Sequence, residues 1–247
     1  MVEKCQRRKH GSERRTAVIL DGFDRQWPEA KIALTHHSAF ELLIATILSA
    51  QCTDERVNLV TKDLFQKYPT PETFATSPLR ELEQDVRPTG FFRNKARSIQ
   101  GASRMILERF NGRVPETMEE LIQLPGVARK TANVVLGTAF GKAEGVVVDT
   151  HVARVSRRLA LSKATTPEKI EQDLMKLLPE DRRISFSLQA ILHGRNVCRA
   201  RKPLCHICPV ERVCDSKDKM PAPPPASPAK ADAPKSRRRS DNERKQS

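Results

Sequence analysis

The residues Leu124-Pro125-Gly126-Val127-Ala128-Arg129-Lys130-Thr131 have the form of a tight turn between two helices. Before this stretch, Thr117 and Glu120 form a capping box that predicts a helix start. After it, Lys130–Phe140 has a helical period and stops at Gly141. Backbone N–H groups at the start of the second helix lack intrahelical partners, so the hairpin is a candidate seat for a phosphate group.

Such a turn is also common between packed helices, and alone it leaves nucleic-acid binding open. Lys130 is the more specific feature, because an amine near a helix N-terminus meets the positive end of the helix dipole. We expect partial burial to disfavour its charged form further, which would make Lys130 a nucleophile near neutral pH. The alternative interpretation is a solvated lysine that contacts phosphate.

Helical periodicity continues along most of the chain and predicts an all-α fold. The only strand-like stretch, Gly145–Val148, is too short to form a sheet. Thr70-Pro71 and Ser77-Pro78 each place a capping residue before a proline and so predict two short helices. The other predicted helices are Phe40–Leu48, a helix from Asp54 that ends before Pro69, Arg93–Phe110, Thr150–Leu161, Pro167–Leu178 and Arg183–Gly194.

Charge and composition indicate a nucleic-acid partner. The 247 residues carry 44 Lys and Arg against 30 Asp and Glu, a formal net charge of +14. No apolar run approaches the length of a membrane span, which excludes a transmembrane protein, and no signal-peptide core follows the basic N-terminus. We therefore predict a cytoplasmic protein without a membrane partner. Residues 1–15 and the Pro/Ala-rich residues 215–247 are predicted to be flexible basic tails.

Four cysteines, Cys198, Cys205, Cys208 and Cys214, follow a C-x6-C-x2-C-x5-C pattern. Thiolates this close in sequence can converge on one metal centre, either an iron–sulfur cluster or a tetrahedral zinc ion, and the spacing does not decide between them. The alternatives are two disulfides or unrelated buried cysteines, and both are disfavoured in an unexported chain.

Asp149 precedes the predicted helix Thr150–Leu161, where a carboxylate would cap free backbone amides. This capping role by itself requires no catalysis. In the same helix His151, Arg154 and Arg158 share one face, which could follow a DNA backbone or be a solvated surface.

Together these motifs resemble the endonuclease III family of the helix-hairpin-helix DNA glycosylase superfamily. The resemblance covers about Trp27 to Cys214 and includes the hairpin, the Leu48–Asp54 stretch, Val148–Val152 and Leu192–Arg195 before the four cysteines. It implies a two-domain helical enzyme with DNA in the cleft between the domains. Residues 32–142 would form a six-helix barrel domain that includes the hairpin, and residues 16–31 and 143–214 a discontinuous iron–sulfur cluster domain.

The resemblance also implies an activity and a set of site residues. The activity is that of a bifunctional base-excision-repair glycosylase and AP lyase, a monomer that acts on damaged double-stranded DNA and removes oxidised pyrimidines. Lys130 would be the Schiff-base nucleophile, Asp149 its acidic partner, and the four cysteines the ligands of a [4Fe–4S] cluster. Gln51 would fill the gap left by the extruded base, and Phe91 would be a wedge. The implied DNA-binding residues are Gln51, Asp54, Phe91, Leu124, Gly126, Ala128, Arg129 and Thr131.

Ala128 departs from the family pattern, in which glycine is frequent at this position. A methyl group there would weaken DNA binding if the backbone needed a positive φ. Two other functions remain open at this point: a monofunctional adenine glycosylase, which would normally lack the lysine, and a catalytically silent DNA-binding protein with a structural zinc.

Overall fold

The structure is a computed structural model that describes residues 2–222, and side chains from residue 13 onward. The Ala/Pro-rich stretch from residue 223 and the basic cluster Arg237–Arg239 lie outside the described residues. The helices are α1 (Val2–Gln26), α2 (Ala39–Leu48), α3 (Asp54–Lys67), α4 (Pro71–Thr76), α5 (Leu79–Asp85), α6 (Phe92–Phe110), α7 (Met118–Leu121), α8 (Arg129–Phe140), α9 (Thr150–Arg158), α10 (Pro167–Leu177) and α11 (Arg183–Asn196). Short 3₁₀ turns lie at Arg87–Thr89, Glu180–Arg182, Cys205–Ile207 and Glu211–Val213.

The predicted all-α class is confirmed, since residues 2–222 contain helices and turns and no strand. Gly145–Val148 is irregular backbone that carries the chain between α8 and α9. Within the same residues, no helix combines the length and apolar character that a membrane span requires.

Side-chain caps begin five of the α-helices in the described chain, namely α2, α3, α4, α7 and α9. The Ser38 hydroxyl accepts from the Glu41 backbone N–H at 3.1 Å, but the Glu41 carboxylate accepts from the His37 backbone N–H, so the two residues do not form a capping box. Ser77 does not cap α5 as predicted. Its hydroxyl donates back to the Phe74 carbonyl, because Ser77 ends α4 and Pro78 occupies the N-cap of α5.

Two clusters of buried apolar side chains form the interior. The first is built from α2 to α8, with Leu42, Ile99 and Leu136 fully buried at its centre. The second joins α1 to α9, α10 and α11 and includes Phe23 and Phe186, whose rings are 5.9 Å apart. Because α1 packs with helices that come more than 120 residues later, the second cluster is discontinuous in sequence.

Both ends of the described chain differ from the predicted tails. Helix α1 begins at Val2 and continues into the packed segment without a break, so residues 2–15 are helical. Arg15 donates to the Val213 carbonyl at 2.7 Å and pairs with Asp215 at 2.6 Å. Residues 215–222 also pack on the body through ion pairs of Asp218 and Lys219. The predicted boundary at residue 215 is therefore too early, because these acidic and basic groups find partners in the folded chain.

Candidate active site and cysteine pocket

The main candidate site is a cleft of about 280 Å³ whose lining residues come from the elements of both buried clusters. Leu34 and Val134 line it from one side, and Leu188 and Ile191 from the other. Five of the predicted site residues meet in this cleft: Gln51, Asp54, Lys130, Thr131 and Asp149. Apolar walls with a few convergent polar groups are typical of a binding site.

Lys130 is the second residue of α8 and points away from the buried face of that helix. Its side chain is exposed, so the expected partial burial is wrong. The reason is local, since the opposite face of α8 carries Ala132, Val135 and Leu136 into the core. Within residues 13–222 the Lys130 amine makes no hydrogen bond or ion pair, which leaves it available to a ligand.

Asp149 is the N-cap of α9, as its position in the sequence predicts. Its Oδ1 atom accepts from the backbone N–H groups of His151 and Val152, both at 2.8 Å. These bonds fix the orientation of the carboxylate. Asp149 also lines the cleft. The capping role and a role in the cleft are therefore compatible, because the cap uses one of the two carboxylate oxygens.

Leu124 and Val127 anchor the hairpin to the first buried cluster, because both side chains are buried in it. Gly126 has φ +80°, and a Cβ atom there would lie 2.6 Å from the Cβ atom of Ser98. Glycine is therefore required at this position. Ala128 has φ −90° at the N-cap of α8, so its methyl group costs no backbone strain. The departure from the family pattern at Ala128 does not distort the hairpin.

Arg129 forms an ion pair within the protein. Its Nε and Nη2 atoms donate to the two carboxylate oxygens of Glu171 in α10, at 3.1 Å and 3.3 Å. Glu171 is buried and also accepts from Asn133 at 2.9 Å. A Cβ atom at Gly145 would collide with this carboxylate, so the glycine makes room for the network. The network ties the start of α8 to the second buried cluster.

A second ion pair crosses the cleft. Asp54, at the start of α3, pairs with Arg195, near the end of α11, at 2.9 Å. Both residues line the cleft. Asp54 thus lies at the predicted site, where its carboxylate pairs with the Arg195 guanidinium.

Gln51 and Phe91 both adopt left-handed backbone conformations that non-glycine residues rarely use, with φ +53° and +48°. Gln51 is exposed at the cleft, whereas Phe91 lies outside the cleft and has 64% of its side-chain surface exposed. A large apolar ring held in solvent in this way is typical of a surface that meets a partner.

The four cysteines line a second pocket, together with Arg158 and His193. All four are free thiols, so the disulfide alternative is excluded. Burial raises the pKa of the Cys208 thiol to about 11, and the neighbouring cysteines act in the same direction. Within the described residues, no three His, Cys, Asp or Glu side chains form a site for a single metal ion.

The sulfur atoms have polar neighbours. Cys198 accepts from the Arg158 guanidinium and Cys205 from the Met220 backbone N–H, each at 3.4 Å. Cys208 lies 3.6 Å from the Nε2 atom of His193.

The basic face of α9 is neither a solvated surface nor free to follow DNA. Arg154 donates to the carbonyls of Cys198 and Gly194, and Arg158 donates to the carbonyls of Arg199 and Ala200. Both interpretations of this face are therefore wrong, because its arginines support the cysteine loop.

Three residues of the site region were not predicted: Lys95, Glu171 and Arg195. Lys95 and Glu171 are charged residues on the apolar faces of amphipathic helices, beside Ile99 and Ile170. A charge on such a face is a sequence signal for a buried polar contact, since isolated buried charges are costly. The sequence does not indicate which distant residue provides the partner.

The chain is similar to known proteins over most of its length. Residues 44–180 match the model of the HhH-GPD superfamily base excision DNA repair proteins. The chain is 54% identical to endonuclease III of Synechocystis over 210 residues, which is 85% of this chain and 96% of that protein. It is 45% identical to endonuclease III of Bacillus subtilis over 196 residues, 79% of this chain and 89% of the relative.

A solved structure is similar over the same region. It is a trapped endonuclease III–DNA covalent intermediate in an estranged-adenine complex, with a TM-score of 0.78 and 45% sequence identity. The match covers 82% of this chain and 95% of the solved chain.

Proposed function

The chain belongs to the HhH-GPD superfamily of base excision DNA repair proteins, and on that premise we propose that Lys130 and Asp149 carry out its chemistry on DNA. It is a DNA glycosylase with AP lyase activity of the endonuclease III kind. The observation that carries the assignment of residues is the exposed amine of Lys130, which lies in one cleft with the fixed carboxylate of Asp149 and has no partner among residues 13–222.

The proposed reaction begins when the Lys130 amine attacks C1′ of the damaged nucleotide. The C1′–base bond breaks, the base leaves with its electron pair, and ring opening gives an iminium ion between Lys130 and the sugar. Loss of a C2′ proton then expels the 3′ phosphate by β-elimination, and water releases the enzyme. Asp149 stabilises the positive charge that develops on the sugar or receives the proton of the attacking amine.

DNA binding is proposed to use the hairpin backbone and two left-handed turns. The backbone amides at the start of α8 would bind a phosphate group, a contact that does not depend on the DNA sequence. Gly126, Ala128 and Thr131 would take part because they lie in the hairpin and the first turn of α8. We name residues 49–52, which include Gln51, the plug turn, and residues 89–92, which include Phe91, the wedge turn. Gln51 would fill the gap left by the extruded base, and Phe91 would separate the neighbouring bases.

The four cysteines are proposed to hold a [4Fe–4S] cluster. Their fit to such a group is supported by four free thiols around one pocket and by N–H groups directed at Cys198 and Cys205. Thiolate ligands suit both zinc and iron, so the preference for a cluster over zinc rests on the similarity of the chain to endonuclease III. When bound, the cluster would cross-link the loop between α11 and residue 214.

The domain division is proposed to follow the two buried clusters, with a barrel domain at 32–142 and a cluster domain at 16–31 and 143–214. The apolar residues of the first cluster fall between Leu34 and Leu136, and those of the second at 19–23 and 146–210, which supports this division. Action as a monomer on damaged double-stranded DNA is part of the same proposal, and similarity to a solved endonuclease III–DNA complex supports its DNA partner. Oxidised pyrimidines as substrates and a cytoplasmic, nucleoid-associated location complete the proposal.

Borohydride trapping tests the assignment of Lys130. The wild-type protein should form a stable covalent complex with abasic-site DNA under borohydride, because reduction fixes the Schiff base. Lys130→Ala should abolish the complex. Lys142→Ala, which removes another exposed lysine just beyond α8, should leave it intact. Undiminished trapping by Lys130→Ala would exclude Lys130 as the nucleophile.

Metal analysis of the purified protein tests the cluster separately. We expect about four iron atoms per chain and a yellow-brown colour, as for a [4Fe–4S] centre. A colourless protein with one zinc per chain would contradict the cluster proposal and support the zinc alternative.

A further inference from the structure

Lys95 is a buried lysine in α6 that the proposed chemistry does not use. Its side chain is only 4% exposed, and its Nζ atom donates to the carbonyl oxygens of Leu48 at 2.8 Å and Thr89 at 2.7 Å. Burial lowers the pKa of this amine. Within residues 13–222 no carboxylate pairs with it, so the two carbonyls are its charge partners.

Both carbonyls stand directly beside the turns that would enter the duplex. Leu48 is the last residue of α2, and the plug turn with Gln51 follows it. Thr89 ends the 3₁₀ turn Arg87–Thr89 and begins the wedge turn with Phe91. At the end of a helix such carbonyls have no intrahelical donor and carry partial negative charge, so a cation is a favourable partner.

The two turns need external support. Gln51, Gly90 and Phe91 all have positive φ values, and two of these residues are not glycine. Left-handed conformations of this kind persist only where the surrounding structure holds them. The Lys95 ammonium bonds to Leu48, directly before the plug turn, and to Thr89, at the start of the wedge turn. It therefore fixes each turn and also the spacing between them.

We propose that Lys95 is a positioning residue for base extrusion, which holds the plug turn and the wedge turn at the separation that lets Gln51 and Phe91 enter the duplex together. The inference rests on the proposed function of those two side chains. Because Lys95 does not line the cleft, its loss should impair extrusion and leave the reaction at the sugar unchanged.

The test compares Lys95→Met with Gln100→Met. Methionine matches lysine as far as the Cε atom but lacks the ammonium group and donates no hydrogen bond. Gln100 is buried in the same helix and donates to the Ser77 carbonyl at 2.8 Å, which belongs to neither turn. Gln100→Met therefore removes a comparable buried bond without touching either turn.

Two reactions separate extrusion from chemistry. Excision of thymine glycol from duplex DNA requires extrusion, whereas borohydride trapping on a single-stranded abasic oligonucleotide does not. In single-turnover measurements Lys95→Met should lose at least about tenfold in duplex excision and stay within about twofold of wild type in trapping, since misplaced groups cost rate only in steps that use them. Gln100→Met should show no such difference between the two reactions.

Equal losses in both reactions, or full duplex excision by the folded Lys95→Met variant, would overturn the proposal. The same split in Gln100→Met would do so as well. If Lys95→Met fails to fold, Lys95→Gln replaces it in the test, because glutamine keeps a hydrogen-bond donor on a shorter side chain. Lys95→Gln must then lose duplex excision while it retains trapping on single-stranded DNA. Absence of trapping by the wild-type protein would contradict the proposed function and is distinguishable from a failure that concerns Lys95 alone.

Discussion

Glu171 in α10 holds Arg129 in α8 through two hydrogen bonds, Nε to Oε2 at 3.1 Å and Nη2 to Oε1 at 3.3 Å. The carboxylate is buried, while half of the Arg129 side chain remains exposed. Because Arg129 directly precedes Lys130, this pair connects the proposed nucleophile's helix to the second buried cluster.

Glu171→Gln and Arg129→Met should each lower the free energy of unfolding by about 1–2 kcal/mol, because each leaves the other member of the pair unsatisfied. In Glu171→Gln the exposed half of Arg129 regains water, which limits the loss. The double variant should lose less than the sum of the single losses. A double-mutant cycle by urea unfolding measures this coupling. Strictly additive losses would mean that the pair contributes no coupling energy.

Gly126 and Gly141 both have positive φ but differ in surroundings. Gly126→Ala places a Cβ atom 2.6 Å from the Cβ atom of Ser98, whereas a Cβ atom at Gly141 would meet no atom of the described residues within 4 Å. We expect Gly141→Ala to cost about 1 kcal/mol from backbone strain alone and Gly126→Ala about 3 kcal/mol, because overpacking adds to the strain. Thermal or urea unfolding of the two variants measures the difference. Equal losses would show that Ser98 moves aside without cost.

Local signals were sufficient to predict most of the helices. Thr70, Thr117 and Asp149 cap α4, α7 and α9 as their positions indicate, and Gly141 ends α8. These features depend on bonds within a few residues, which a sequence shows directly. The predicted grouping of the four cysteines around one pocket has the same basis.

The contacts that position the site were beyond prediction. Arg129 and Glu171 are 42 residues apart, and Lys95 reaches the Leu48 carbonyl 47 residues away. A charged residue on an apolar helix face indicates that a partner exists, but only the packed fold identifies it. The exposure of Lys130 was predicted wrongly for a related reason, since burial depends on what covers the first turn of α8.

Ala128 is the N-cap of α8 and offers no side-chain acceptor to the free amides. Ala128→Ser should stabilise the protein by about 1 kcal/mol, because serine is a far better N-cap than alanine. The same hydroxyl would occupy an amide that we propose for phosphate binding, so affinity for DNA should fall. Urea unfolding and a binding titration measure the two effects.

The matched control is Ala128→Gly, which adds no acceptor and should leave affinity close to that of the wild type. If Ala128→Ser gained stability without losing affinity, the phosphate would not use the capped amides.

The C-terminal residues carry an excess of positive charge. Residues 215–247 carry a net charge of +4, and all of it falls within residues 223–247, because Asp215, Lys217, Asp218 and Lys219 cancel. A chain that ends at Ala222 should bind duplex DNA more weakly and with a flatter dependence on salt concentration, since fewer phosphate counterions are released. Its single-turnover rate at saturating enzyme should be unchanged.

A chain that ends at Cys214 has the same net charge as the one that ends at Ala222, so its salt dependence should match. It also loses the ion pairs of Asp215 with Arg15 and of Asp218 with Arg158, beside Cys198. We therefore expect only this shorter chain to unfold at a lower temperature.

Binding titrations at several salt concentrations and thermal unfolding separate the two effects. If both truncations left the salt dependence of the full chain unchanged, residues 223–247 would not contact DNA. If both had the same unfolding temperature, the ion pairs of residues 215–222 would contribute nothing to stability.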